Sequence, residues 1–167
     1  NTELVDINNM RSERQTLKFA KMDASGNDHI IVENLDNSIT CPESLCVSLC
    51  DRNHGIGGDG IVMIEKSDVA DVKMRVFNLD GSEGKMGGNA MRSVAKYVYD
   101  KKLVDKKEFT VKTLAGIMTP QIMEDGQVRV NMSKPILDSE KIPFLPSHNL
   151  NYKISVKNRI FEGNAVS

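Results

Sequence analysis

The 167-residue chain has no tryptophan, five phenylalanines and three tyrosines. With 40% apolar residues, that leaves the modest core of an ordinary soluble protein. An excess of charge of either sign is also missing: 22 basic residues face 23 acidic ones, for a net −1. Nothing in that balance points to nucleic acid or to an acidic membrane surface as a partner. No apolar run approaches the roughly 20 residues of a membrane span. The N-terminal residues lack the apolar stretch of a secretory signal, so a cytoplasmic location is expected. Cysteine is scarce. Cys41, Cys46 and Cys50 form one cluster of odd number with no second cluster, which argues against a disulfide framework and favours reduced thiols, two of them on one helix face. They do not form C-x-x-C, and His29, His54 and His148 are scattered, so no zinc pattern exists and no metal site is expected. No glycine-lysine-serine or -threonine run is present, which removes a P-loop. Gly55 to Gly60 superficially resembles a dinucleotide loop, but a strand rather than a helix is expected after it.

What is present centres on Asn78 to Tyr99, NLDGSEGKMGGNAMRSVAKYVY. A strand runs into it, a glycine-rich turn fills its middle, and an amphipathic helix leaves it. Backbone N–H groups at such a turn, with the positive end of a helix, suit a carboxylate or phosphate. Residues 1–16 are polar and without period, and are expected to form a disordered tail. Leu17–Met22 and Ile30–Val32 read as strands flanking a turn at Asp23–Asp28, a hairpin. Pro42 can open a helix carrying Leu45, Cys46, Leu49 and Cys50 on one face. Asp51 to Gly60 holds four glycines and reads either as a mobile loop or as backbone fitted closely round a ligand or another loop.

Ile61–Glu65 has a buried-strand pattern, and Val72, Met74 and Val76 alternate with Lys73, Arg75 and Phe77 as in a half-buried strand. The helix that follows places Met91, Val94, Ala95 and Val98 on one face, with Asn89 a candidate N-cap and Lys101 and Lys102 at its C-terminal end. Further strands are expected at Phe109–Thr113, Ile117–Met123 and Val128–Met132, the last two joined by an Asp125-Gly126 turn. Pro135, Pro143 and Pro146 mark an irregular connection before strands at Tyr152–Val156 and Ile160–Val166. Short connections favour antiparallel pairing and an α+β class.

Each glycine- or asparagine-rich turn has a local explanation as a β-turn or a cap. Three of them in one small domain, at 25–28, 55–60 and 78–89, suggest a shared site. Asparagine amides both donate and accept, which suits a zwitterionic amino acid.

Several stretches, in order, resemble the diaminopimelate epimerase family. Lys18–Asp28 (KFAKMDASGND) looks like its opening strand and G-N-D turn, and Asp51–Gly60 (DRNHGIGGDG) like its D-R-x-x-G-I/V-G-x-D loop. Phe77–Glu83 (FNLDGSE) looks like its F-N-A-D-G-S-E turn, and Met86–Arg92 (MGGNAMR) like its x-C-G-N-G-x-R signature. Val128–Met132 with Pro135 looks like the strand opening its second lobe. The resemblance runs from Leu17 to Ser167.

It implies a cofactor-independent isomerase of lysine and peptidoglycan precursor synthesis, which interconverts LL- and meso-diaminopimelate. A base would take the Cα proton on one face and an acid return it on the other. The implied fold is a lobe over residues 17–116, an antiparallel barrel-like sheet around a central helix, with residues 117–167 an incomplete second lobe. Asn27, Asn78, Gly88 and Asn89 match substrate contacts of the family, and Gly60 falls where some members place a glutamine. Gly87 falls on the first catalytic cysteine, and none of Cys41, Cys46 and Cys50 matches a catalytic position. Glycine moves no proton, and the family's second catalytic cysteine belongs to its C-terminal part. The chain is thus expected to be an inactive fragment or variant. A same-fold racemase of another amino acid, or a non-catalytic binding protein that kept the pocket, are the alternatives. An open sheet edge and apolar face at Tyr152–Val166 are expected to drive self-association or a homodimer.

Overall fold

The computed structural model describes residues 16–142 and 150–165. The tail expected over residues 1–16 lies outside them apart from Thr16, as do Pro143, Pro146, His148 and Val166. The chain divides into two compact units, Asn1–Val130 and Asn131–Ser167.

The first unit is built on a sheet of seven strands: β1 (Phe19–Ala24), β2 (Asn27–Glu33), β3 (Gly60–Glu65), β4 (Val72–Asn78), β5 (Glu83–Gly84), β6 (Val111–Thr113) and β7 (Gly116–Met118). Their order is β1-β2-β3-β4-β6-β7, with β5 on β4. Helix α1 (Pro42–Cys50) lies between β2 and β3 in the chain, and α2 (Gly88–Asp100) between β5 and β6. Two further strands, β8 (Gln121–Ile122) and β9 (Val128–Arg129), form a separate antiparallel pair that packs on α2.

The α+β class holds, but the sheet is mixed and open rather than antiparallel and barrel-like. β2 pairs with β3, and β4 with β6, in parallel. Parallel neighbours need a long crossover. Here α1 with the Asp51–Asp59 loop supplies one, and β5 with α2 the other. No pairing joins β7 to β1 among the described residues.

The two faces of the sheet bury different partners. Ile31, Val62, Ile64, Val72, Met74 and Val76 pack with Ala90, Met91, Val94, Ala95 and Val98 of α2. Ile30, Val32, Ile61, Met63 and Phe77 pack on the other side with Cys46 and Cys50 of α1. A strand covered on both faces shows no alternation. That is why all six residues of β3 are buried, and why Phe77, read as outward-facing, is buried too. The four residues expected on the buried face of α2 are each fully buried.

The strand expected over Ile117–Met123 is divided. Pro120 has no N–H to continue a ladder, so β7 ends at Met118 and β8 starts in a different sheet. The sequence-based boundary between residues 116 and 117 falls inside β7. In the second unit a 3-10 turn (Ser139–Lys141) precedes an antiparallel hairpin, β10 (Tyr152–Val156) and β11 (Arg159–Gly163).

Candidate functional site

The sheet brings the asparagine-rich turns together. Strands β2 and β3 begin, and β4 finishes, at the same end, with His29 opposite Gly60 and Gly60 opposite Asn78. Side chains alternate along a strand. Counting back from Ile31, Val62 and Val76, which face α2, places Asn27, Gly60 and Asn78 on that same face. Helix α2 points its N-terminus to this end. Its far end is fixed by Tyr97, whose hydroxyl donates to Glu33 Oε1 at 2.7 Å, at the other end of β2. A Cβ on Gly84 would lie 3.9 Å from Asn78 Nδ2, and Gly87 follows only three residues later, a reach of at most about 11 Å. Asn27, Gly60, Asn78 and Gly87–Asn89 therefore share one end and one face of the fold.

The helix starts two residues earlier than an Asn89 N-cap would place it. Gly87 is the N-cap, with φ −126° and ψ 125°, and no side chain caps the helix. Asn89 lies inside the first turn, where its Oδ1 accepts from Arg92 Nη1 at 3.3 Å. The first intrahelical bond runs from Met91 N to Gly87 O at 2.8 Å. The preceding N–H groups, those of Gly88, Asn89 and Ala90, form the positive end of α2.

The loop Asp51–Gly60 is fitted backbone. A Cβ on Gly55 would meet the carbonyl oxygen of Leu49 at 2.6 Å. On Gly60 a Cβ would run into the carbonyl oxygen of Phe77, so a glutamine there would displace β3 from β4. The loop is latched by charge. Arg52 donates to both oxygens of Asp28, at 3.1 and 2.6 Å, and to Asp59 Oδ1 at 2.9 Å. Lys21 Nζ stands 3.0 Å from Asp28 Oδ2. Asp59 Oδ2 accepts from Asn27 Nδ2 at 2.8 Å and from the Asp28 N–H at 3.1 Å. The Arg52 and then the Lys21 contacts hold the Asp28 carboxyl well below the usual carboxylate range. Asp59 is lowered chiefly by the Asn27 amide, and then by the Asp28 N–H and Arg52. Sequence reading missed Asp28, Arg52 and Asp59 as a unit; the available signal was their placement inside two glycine-rich turns.

The cysteines lie elsewhere. Cys46 and Cys50 are buried on the α1 face, their sulfurs 3.6 Å apart, and the Cys46 thiol donates to the carbonyl oxygen of Asn78 at 3.1 Å. Burial, and then the neighbouring Cys46, push the Cys50 thiol up to about 12, so it is a poor base. Cys41 is exposed at the start of α1. Among the described residues no group of three or more His, Cys, Asp or Glu side chains is arranged to hold a metal ion. A broad groove lined by Leu17, Phe19, Cys41, Leu45 and Tyr97 holds none of the candidate residues.

The family model described as diaminopimelate epimerase matches residues 19–137. The chain belongs to the diaminopimelate epimerase family. It is 45% identical over 157 residues to the diaminopimelate epimerase of Methanococcus maripaludis strain S2, an alignment covering 90% of this chain and 57% of that protein. It is 47% identical over 131 residues to the one from Caldanaerobacter subterraneus subsp. tengcongensis, covering 76% and 47%. The chain thus spans about half the length of the curated diaminopimelate epimerases it matches. Among solved structures, a probable proline racemase from Agrobacterium radiobacter with bound carbonate superposes with a TM-score of 0.58 at 14% identity, over 90% of this chain and 49% of that one. A PhzF-family phenazine biosynthesis protein from Bacillus anthracis gives 0.54 at 22%, over 71% and 40%. At those identities the likeness is one of fold.

Proposed function

We propose that this chain supplies one wall of a diaminopimelate epimerase-type isomerase, which interconverts LL- and meso-diaminopimelate in the cytoplasm without pyridoxal phosphate or metal, for lysine and peptidoglycan precursors. The observation that carries the reading is the uncapped N-terminus of α2 sharing one end and one face of the sheet with Asn27 and Asn78. A Cα–H beside a carboxylate is a very weak acid. Free backbone N–H groups aimed at that carboxylate stabilise the charge that develops when the proton leaves. Residue 87 stands at the N-cap, where a helix terminus lowers a thiol's pKa and makes it a usable base. In this chain Gly87 leaves that place chemically empty, so the wall keeps binding groups (Asn27, Asn78, Gly88 and Asn89) and lacks its proton carrier. Residues up to 130 are the first lobe in this reading, because β7 pairs with β6 and β8 and β9 pack on α2. Residues 131–167 then open the second lobe. Gly87 itself favours a second reading, a non-catalytic protein that retains the pocket.

The test is a chimera joining this chain to the remaining C-terminal part of the Methanococcus maripaludis relative, with and without Gly87→Cys. Incubated with LL-diaminopimelate in deuterated water, the substituted chimera is expected to place deuterium at Cα and form the meso isomer. The chimera that keeps Gly87 is expected to do neither. A folded Gly87→Cys chimera that exchanges no Cα hydrogen would overturn the enzyme reading in favour of the binding protein.

A further inference from the structure

We propose that two carboxylates, Asp59 and Asp80, set the polarity of this site: they fix the amides of Asn27 and Asn78 so that both present carbonyl oxygens to an ammonium group. The proposal rests on the reading of Asn27 and Asn78 as ligand contacts. Asn27 Nδ2 donates to Asp59 Oδ2 at 2.8 Å. An ionised carboxylate only accepts, so the NH2 end of this amide must face Asp59. Asp59 cannot swing away cheaply, because it also takes the Asp28 N–H at 3.1 Å and Arg52 Nη2 at 2.9 Å.

Asn78 is held by a longer relay. Its Nδ2 donates to Ser82 Oγ at 3.0 Å. The Ser82 hydroxyl spends its single proton on Asp80 Oδ1 at 2.6 Å, so it has only lone pairs left for Asn78. Asp80 is held in turn by the Ser82 N–H at 2.9 Å. Both amides therefore end on a carboxylate through their nitrogens. Among the described residues no donor is bonded to Oδ1 of Asn27 or of Asn78.

The site is then divided by polarity. The sheet offers two acceptor oxygens, and the first turn of α2 offers N–H donors. A carboxylate brought to those two carbonyl oxygens would face oxygen against oxygen; an ammonium there and a carboxylate at the helix are both satisfied. Asp59, Ser82 and Asp80 are in this view positioning residues that decide which end of a zwitterion goes where.

Side-chain NH2 signals of the 15N-labelled 167-residue chain test the relays directly. Asp59→Asn is expected to shift the Asn27 NH2 pair alone, and Ser82→Ala the Asn78 pair alone. Ser82 is exposed and Asp59 only half-buried, and backbone spectra report whether each variant is folded. The chain is then titrated with diaminopimelate and with pimelate, which has the same carboxylates and no ammonium. Each variant is expected to bind diaminopimelate about tenfold more weakly, the worth of one hydrogen bond to a charged group, with pimelate little changed. Asp59→Glu, which keeps the acceptor charge, is expected to recover part of the loss. Unmoved NH2 signals, or equal weakening of both probes, overturn the proposal. If the signals respond but the unsubstituted chain binds neither probe, the ligand reading fails and the ammonium role with it, while the relays stand.

Discussion

Gly87, the place where the proposed function misses its base, sits in backbone that does not depend on glycine. Its φ of −126° is open to every residue but proline. A Cβ there would meet only Ala90 Cβ at 3.4 Å and Ala90 N at 4.0 Å. Nothing in the backbone requires glycine at this place, unlike Gly60, whose Cβ would strike a carbonyl of the neighbouring strand. Gly87→Cys is therefore expected to leave the unfolding free energy within about 0.5 kcal/mol of its present value, read from the urea midpoint. A loss of several times that figure would mean that the N-cap depends on glycine after all. The sequence made Gly87 legible only through its family motif. The Asp59–Asn27 bond was not legible, because it joins side chains 32 positions apart and depends on the parallel β2–β3 register. No local pattern encodes that register.

At the scale of elements, α2 was the part best announced by its residues. A four-residue apolar face at helical spacing can only be buried as a helix, and the structure buries it against both the main sheet and the β8–β9 pair. The sheet was less legible, since short, doubly covered strands carry no alternation and pairing direction follows from crossovers. Helix α2 stops by a backbone device that its sequence hides. Lys102 sits at φ 56°, the Lys102 N–H reaches Tyr99 O at 3.0 Å, and the Leu103 N–H reaches Val98 O at 3.0 Å. This is a Schellman motif with lysine where glycine is usual. A left-handed residue with a Cβ costs about 1–2 kcal/mol, and glycine returns part of that gain through its greater unfolded-state freedom. Lys102→Gly is expected to stabilise the first unit by up to about 1 kcal/mol, seen as a raised urea midpoint at unchanged m-value. A lower midpoint would show that the Lys102 side chain contributes more than its backbone strain costs.

At the scale of the whole molecule, the two units differ in how they bury apolar surface. The first encloses its sheet between two helices. The second presents a two-stranded hairpin in which Ile154 pairs with Phe161, and strand alternation puts Tyr152 and Val156 on the same face. Ile154 is 46% exposed, Val156 51% and Phe161 52%. A hairpin of two strands is marginal in water without something covering its apolar face, and such a face with open edges is a template for another strand. A second copy of the chain is the partner always present in a purified sample. Light scattering should therefore show mass rising with concentration, and Phe161→Lys, which places a charge in the middle of the face, should return the chain toward a monomer. A monomer at every concentration before substitution would mean the face is covered within the chain itself. Association unaltered by Phe161→Lys would move the contact to the apolar residues exposed elsewhere, such as Val47, Val69 and Leu114 of the first unit.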